Sequence, residues 1–228
     1  MMLPAYPALV AFYLFWLGAA LGLTVLAMTA YIGVSPRWLR WLLLLCALAL
    51  GSRYLTMLIF AVNPNPLVLR GWARCWFAPI IGLTFPAVVA VDALVRHPAM
   101  TPKKLLQWYA PFFAVYLLIL CFGPIALVRD PIVGTHPELI GWARGLLILA
   151  QAIFIAGLLW VCARLWLKLR AASTRLALAG LMLAYGYLAV DGLLVSLGRW
   201  YVRPFLFSEI AALFALWLAF DIARKSPT

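Results

Sequence analysis

Seven long apolar stretches constrain the fold of this 228-residue chain more than any other feature of its sequence. A helix needs about 20 apolar residues to cross the hydrocarbon of a bilayer, and each stretch is close to or above that length. Because 68% of the residues are hydrophobic and only 11% are charged, too few polar side chains remain to cover a soluble globule. The predicted spans are Ala8–Val34, Trp38–Val62, Cys75–Val95, Leu105–Val128, Gly141–Ala163, Leu176–Leu197 and Phe205–Ala223.

We therefore predict an all-α fold: an integral membrane bundle of seven transmembrane helices, with residues 1–228 forming a single domain. The breaks between the spans carry turn-forming residues, as in Ser35-Pro36 and Arg203-Pro204. The longest loop, from Arg129 to Ile140, has room for a short re-entrant or surface turn.

The basic residues predict the orientation of the bundle. Eleven Lys and Arg residues flank one set of span ends and six flank the other. Because cytoplasmic loops are enriched in basic residues, we expect the amino terminus outside and the carboxyl terminus in the cytoplasm. The bases stand in small groups between apolar runs, which is typical of membrane proteins, so we expect no nucleic-acid partner. The abundance of Arg, Ala and Leu favours a bacterial inner (cytoplasmic) membrane.

The residues used in common catalytic and cofactor sites are scarce. The two histidines, His97 and His136, fall on opposite sides of the predicted membrane, which argues against a haem or a zinc site. No nucleophile elbow, P-loop or zinc-protease motif is present in the sequence. We predict no metal and no cofactor, and we regard an enzyme as the weaker interpretation. The four cysteines are interpreted as small core residues.

Three ionisable residues lie inside predicted spans without an opposite charge one helical turn away. Arg53 is in the second span, Asp191 in the sixth and Glu209 in the seventh. At 1.5 Å per residue they lie about 13, 10 and 6 Å from the outer span ends. An ionisable group within a membrane is costly and therefore suggests a functional site. All three fall in the outer half, where they can meet only across helices or across water.

Helical spacing adds further polar residues to this region. Tyr187 is one turn from Asp191, and Arg144 and Gln151 share a face of the fifth span. We therefore predict an outward-facing polar pocket among spans two, five, six and seven. One alternative is that Arg53 bridges Asp191 or Glu209 only to hold the bundle together, and another is that these side chains extend to the solvent at the membrane surface. The predicted ligand-binding residues are Arg53, Arg144, Gln151, Tyr187, Asp191 and Glu209.

The arrangement resembles the seven-helix membrane sensor regions of bacterial signalling proteins. The local likeness lies in Phe77-Ala78-Pro79, Lys103-Lys104 and Trp108-Tyr109-Ala110-Pro111, which are similar to their third helix, short basic loop and proline-bearing fourth helix. The resemblance implies a sensor with an outer ligand site. In that family a kinase, cyclase or AraC-type effector domain follows the seventh helix. Here only Arg224 to Thr228 follow, so we expect the effector to be a separate protein docked on the cytoplasmic loops.

These observations favour a receptor-like or accessory inner-membrane module with a possible small-molecule ligand and a separate protein partner, in contact with membrane lipid. The alternative is a small transporter or channel that uses the same polar residues, with the proline-bearing spans as gates. The third possibility is a membrane-embedded lipid-modifying enzyme.

Overall fold

The computed structural model describes residues 7–62, 65–95, 100–130, 134–197 and 205–225. Within these ranges seven helices are long and apolar enough to cross a membrane, which confirms an all-α bundle of a multi-pass membrane protein. A short 3-10 helix and one β-hairpin complete the fold. The elements are α1 (Pro7–Tyr31), α2 (Arg37–Val62), α3 (Pro66–Trp72), the 3-10 segment (Ala73–Phe77), α4 (Pro79–Val95), α5 (Pro102–Phe122), β1 (Ile125–Asp130), β2 (Gly134–Leu139), α6 (Trp142–Lys168), α7 (Ala172–Ser196) and α8 (Leu206–Lys225).

The third span is longer than the sequence predicted. It extends over Leu67–Val95, because α3 and the 3-10 segment precede α4. The side chain of Asn65 caps α3 by accepting a hydrogen bond from the backbone nitrogen of Leu67 at 3.0 Å. The extra turns carry two arginines, Arg70 and Arg74, that the predicted boundary left in a loop.

The fourth span is shorter than predicted, since α5 ends at Phe122 rather than at Val128. A residue before proline is disfavoured in the helical conformation, and Gly123, which precedes Pro124, has ψ of 131°. A side chain at position 123 would place its Cβ 2.4 Å from the carbonyl oxygen of Ile119. The turn therefore requires glycine, and the chain leaves the helix as a strand.

A β-hairpin lies between the fourth and fifth spans, where a loop with room for a short re-entrant or surface turn was expected. Strands β1 and β2 pair antiparallel with Ile125 opposite Leu139 and Ala126 opposite Glu138. The hairpin packs on the 3-10 segment and on α2. We call this end of the bundle the hairpin end; it also includes the first turn of α8.

Helix α4 is the centre of the bundle. It packs against α2, α5 and α8 and also contacts α6 and α7, while α1 closes the side between α2 and α8. Its residues from Ile80 to Val91 are mostly buried, Pro86 among them. The apolar side chains that surround α4 form the main core.

Two contacts fix α4 against its neighbours near the middle of the bundle. A Cβ at Gly82 would lie 2.7 Å from Cγ of Leu50 and 3.0 Å from the carbonyl oxygen of Cys46, so only glycine allows α2 to come this close. On the other side, the hydroxyl of Tyr185 in α7 donates to the Leu83 carbonyl at 2.7 Å. This carbonyl is adjacent to that of Gly82, which Pro86 leaves without its helical donor.

The interpretation of the cysteines is wrong in one case. Cys46 and Cys162 are buried and Cys75 is half-buried, but Cys121 is exposed on the surface of α5. All four are free thiols. Cys121 is one residue from the end of its helix, on the lipid-facing side, which a count of apolar residues cannot distinguish from the core. His97, Arg199 and Arg203 lie outside the described residues.

Candidate functional site

Arg53 and Glu209 form a buried ion pair between α2 and α8. The guanidinium Nε lies 3.0 Å from Oε2 of the carboxylate, and Nη2 lies 3.0 Å from Oε1. Both side chains are 4% exposed. The two parallel contacts make a bidentate fork, which is the strongest geometry for an arginine and a carboxylate. The pair therefore joins two helices that otherwise meet through α1 and α4.

Trp76 of the 3-10 segment completes the surroundings of Arg53. Its backbone carbonyl accepts a hydrogen bond from Nη1 of Arg53, and its ring lies 5.0 Å from the guanidinium carbon. A carbonyl is free to accept here because the ends of a 3-10 turn leave backbone acceptors unused. The same ring contacts Phe60 of α2 and His136 of β2, with centroid distances of 5.6 and 6.5 Å. The hairpin thus covers the ion pair from outside.

This environment accounts for how the membrane interior tolerates the charges. Removing an arginine and a carboxylate from water costs several kcal/mol per ion, and good geometry with further hydrogen bonds is needed to offset it. Nε and Nη2 of Arg53 face the carboxylate and Nη1 faces the carbonyl of Trp76. The buried hydroxyl of Tyr54 also lies beside Glu209. These partners fix the pair in one arrangement.

Asp191 lies next to this pair on α7 and is 1% exposed. Its carboxyl group is within hydrogen-bonding reach of the Ser208 side chain and the Phe205 backbone, both at the start of α8. Its Oδ1 atom has no hydrogen-bond partner among the described residues. Asp191 therefore lies against the first turn of α8, with one buried oxygen that no described residue hydrogen-bonds.

The backbone at this junction is strained. Phe205 has φ of 73°, in the left-handed region that costs a bulky residue free energy. Its carbonyl accepts hydrogen bonds from the backbone nitrogen of Glu209 at 2.7 Å and from the hydroxyl of Ser208 at 3.1 Å. The backbone of Glu209 and the side chain of Ser208 are therefore both anchored to the carbonyl of this residue.

The structure brings together three of the six residues predicted from the sequence, and it fills the space between them with protein. Arg53, Asp191 and Glu209 are 3%, 1% and 3% exposed. We call these residues, with Trp76 and Ser208, the Arg53 cluster. It is a closed ionic core and not an open pocket.

The other three predicted residues lie outside the Arg53 cluster. Tyr187 is on the outer surface of α7, where it lines a shallow apolar groove of about 290 Å³ between α7 and α8. Arg144 is exposed at the start of α6, and Gln151 is partly buried two turns further along. Helix α6 packs against α7, α5 and α4, which places both residues away from Arg53.

An open groove lies on the far side of the 3-10 segment. It has a volume of about 510 Å³ and is lined by α3, the 3-10 segment, the end of α5 and β1. Arg70 and Arg74 are its charged residues, and both are exposed. The guanidinium of Arg74 also donates to the Leu120 carbonyl of α5. We call this feature the Arg70/Arg74 groove.

Sequence reasoning missed several residues that matter at these sites. Arg70 and Arg74 are two of the six basic residues at the outer span ends and were used only to predict the orientation of the bundle. Their spacing of four residues also places them on one face of a helix. Trp76 acts through its backbone, which side-chain chemistry does not reveal. Ser208 is adjacent to Glu209 in the sequence, and that proximity was the available signal.

A comparison with models of protein families finds no match to this chain, and no curated protein matches its sequence.

Proposed function

We propose that the protein is a receptor-like or accessory module of a bacterial inner membrane that acts through a separate partner protein. In this proposal the hairpin end faces outward and the carboxyl terminus is cytoplasmic, as the distribution of basic residues predicts. The resemblance to seven-helix sensor regions supports the same assignment.

One observation carries the proposal: the 3-10 segment belongs to both the Arg70/Arg74 groove and the Arg53 cluster. Arg74 lines the groove, and two residues later the carbonyl of Trp76 accepts a hydrogen bond from Arg53. Anything that binds in the groove therefore acts on the segment that positions Arg53. The two sites thus share one stretch of backbone, and coupling between them requires that this stretch change its arrangement when a ligand binds.

The Arg53 cluster links that segment to helices that reach the opposite end. Arg53 and Glu209 join α2 to α8, and both helices traverse the bundle. At its other end α8 carries Asp221, paired with Arg224 at 3.0 Å and Lys225 at 2.5 Å. A small rotation of α8 would change this charged turn, which lies on the side where we expect the partner protein to dock.

Hydrogen–deuterium exchange of the protein in nanodiscs tests this connection. Glu209→Gln keeps the shape of the side chain but removes the charge that pairs with Arg53. We expect faster exchange in the 3-10 segment and also in the last turn of α8. Glu138→Gln is the matched control, because Glu138 is a partly exposed carboxylate on the hairpin whose one ion pair among the described residues is with His136. Changes confined to the hairpin end in Glu209→Gln would contradict the proposal.

A small transporter is the second candidate, and the Oδ1 atom of Asp191, which no described residue hydrogen-bonds, favours it. A buried carboxylate with an unused oxygen is a group that can take up a proton or a cation. Liposomes containing the purified protein and a pH-sensitive dye distinguish the two candidates. The receptor proposal predicts no flux above that of protein-free liposomes. A flux that Asp191→Asn abolishes would replace it with the transporter.

A further inference from the structure

The Arg70/Arg74 groove concentrates positive charge in an open space. Arg70 makes no hydrogen bond or ion pair with any described side chain, and Arg74 uses one nitrogen on the Leu120 carbonyl. No described residue uses the remaining nitrogens of these two guanidinium groups, so they can donate to a ligand. Arginine forks match the oxygens of phosphate and carboxylate groups, so the unused donors suit an anion with several oxygens.

No described carboxylate lines the groove to neutralise these arginines. Glu138 is opposite Ala126 in the hairpin, but it lies 3.2 Å from Nε2 of His136. Glu209 is occupied by Arg53. Glu138 and Glu209 are therefore engaged elsewhere, and no described side chain that lines the groove carries a negative charge to offset the two arginines.

The strand β1 adds backbone donors to the wall. Ile125, Ala126 and Leu127 are consecutive and all line the groove. Since successive side chains of a strand point to opposite faces, three consecutive lining residues mean that the groove meets the edge of the strand. Only the other edge of β1 is paired with β2, so alternate backbone N–H groups on this edge are unused by the hairpin.

The groove lies at the ends of two spans, and this position determines what surrounds a bound ligand. Arg70 and Arg74 lie near the start of the third span, and the groove reaches the end of α5. Phe122, which lines it, is 72% exposed, and Leu67 on the preceding turn of α3 is 75% exposed. Guanidinium groups beside exposed apolar side chains at a span end are at the level of lipid headgroups.

We infer that the Arg70/Arg74 groove binds an anionic phosphate group, which belongs either to the headgroup of an anionic lipid or to a phosphate free in solution. This inference rests on the proposed function, because it names the ligand class for the receptor. The phosphate oxygens engage the two guanidinium groups and the edge of β1, and a lipid would lay its chains along Phe122. The Arg53 cluster has no part in this contact.

The test compares three samples of the full chain: nanodiscs of phosphatidylcholine, nanodiscs that also contain phosphatidylglycerol, and phosphatidylcholine nanodiscs with added inorganic phosphate. The readout is hydrogen–deuterium exchange of residues 70–77. We expect slower exchange in the second or third sample, and Arg70→Gln/Arg74→Gln to weaken the binding about tenfold, because a charge-assisted hydrogen bond contributes at least that factor. Arg144→Gln, which removes an exposed arginine of the same end outside the groove, should retain the protection.

Protection by phosphatidylglycerol alone would identify a resident headgroup, protection by inorganic phosphate alone would identify a soluble ligand, and protection by both would indicate recognition of the phosphate itself. Equal exchange in all samples, or protection that survives the double substitution, would overturn the inference. Arg70→Gln alone leaves the contact between Arg74 and Leu120 intact, so it keeps the test valid if the double variant misfolds. If residues 70–77 are protected but the exchange of α8 does not change, the receptor proposal is refuted and the phosphate site stands. If the exchange of α8 changes but residues 70–77 are not protected, the receptor proposal stands and its ligand belongs to another class.

Discussion

Arg53 bonds to the 3-10 segment and Arg74 belongs to it, yet the protein uses the two arginines in opposite ways. Arg53 is 3% exposed and bound to Glu209 and Trp76. Arg74 is exposed in a groove of about 510 Å³. A charge inside a span attracts attention as a functional candidate, yet here it is fully paired. The arginine at the span end, which sequence reasoning treated as an orientation signal, is the one with space for a ligand.

The largest effect is expected from removing one member of the buried Arg53–Glu209 ion pair. Arg53→Leu leaves the buried carboxylate of Glu209 without its partner. Removing one member of a buried ion pair lowers the free energy of unfolding by about 3–5 kcal/mol. The double variant Arg53→Leu/Glu209→Leu removes both charges and should regain most of that loss. The unfolding midpoint in detergent can be followed by labelling the buried thiols Cys46 and Cys162 in a Cys75→Ser/Cys121→Ser background. A double variant as unstable as the single one would show that the pair is not the cause.

The next largest effect concerns the packing that brings α2 against α4. Gly82→Ala places a methyl group against Leu50 and the Cys46 carbonyl, so we expect a loss of about 1–3 kcal/mol from overpacking. Gly157→Ala is the control, because a Cβ there meets nothing within 4 Å and alanine is the better helix former by up to about 1 kcal/mol. The unfolding midpoints of both variants are measured by the same thiol labelling. Equal effects of the two substitutions would mean that α2 and α4 do not approach as closely as described.

A smaller effect is expected where one hydrogen bond joins α7 to α4. Tyr185→Phe removes the donor to the Leu83 carbonyl, which typically costs about 0.5–1.5 kcal/mol. Tyr187→Phe on the same helix removes an exposed hydroxyl and should change stability by less than about 0.5 kcal/mol. If Tyr187→Phe proved the more damaging substitution, the inward and outward faces of α7 would have to be exchanged.

The smallest effect on stability is expected at the Arg70/Arg74 groove. Arg70→Leu removes an exposed charge with no described partner, so the unfolding midpoint should shift by no more than about 0.5 kcal/mol. In phosphatidylglycerol nanodiscs the same substitution should lower the midpoint further, because it removes a ligand that stabilises the folded state. A large loss in detergent alone would mean that Arg70 is structural, and the contrast with Arg53 would disappear.

The sequence predicted the seven spans well because length and apolarity are properties of each helix alone. It also identified Arg53, Asp191 and Glu209, since charges without local partners must be satisfied across helices. Whether such charges enclose a pocket depends on what fills the space between them. Here that is the backbone of Trp76, at a position where the sequence predicted the beginning of a span.

The hairpin escaped prediction for a related reason. Residues Ile125 to Val128 are as apolar as the helix that precedes them, so hydropathy extended the fourth span through Gly123-Pro124. The local backbone preference of that dipeptide decided the boundary. Arg144 and Gln151 share a helical face as predicted, but the direction of that face depends on how α6 packs, which periodicity does not specify.

The sequence separation of the buried ion pair has a consequence for how the protein is made. Arg53 and Glu209 are 156 residues apart, so at ribosomal speeds α2 is synthesised about ten to thirty seconds before α8. Until α8 has been synthesised, Arg53 has no Glu209 to pair with. The ion pair between α2 and α8 is therefore one of the last contacts of the bundle that can form.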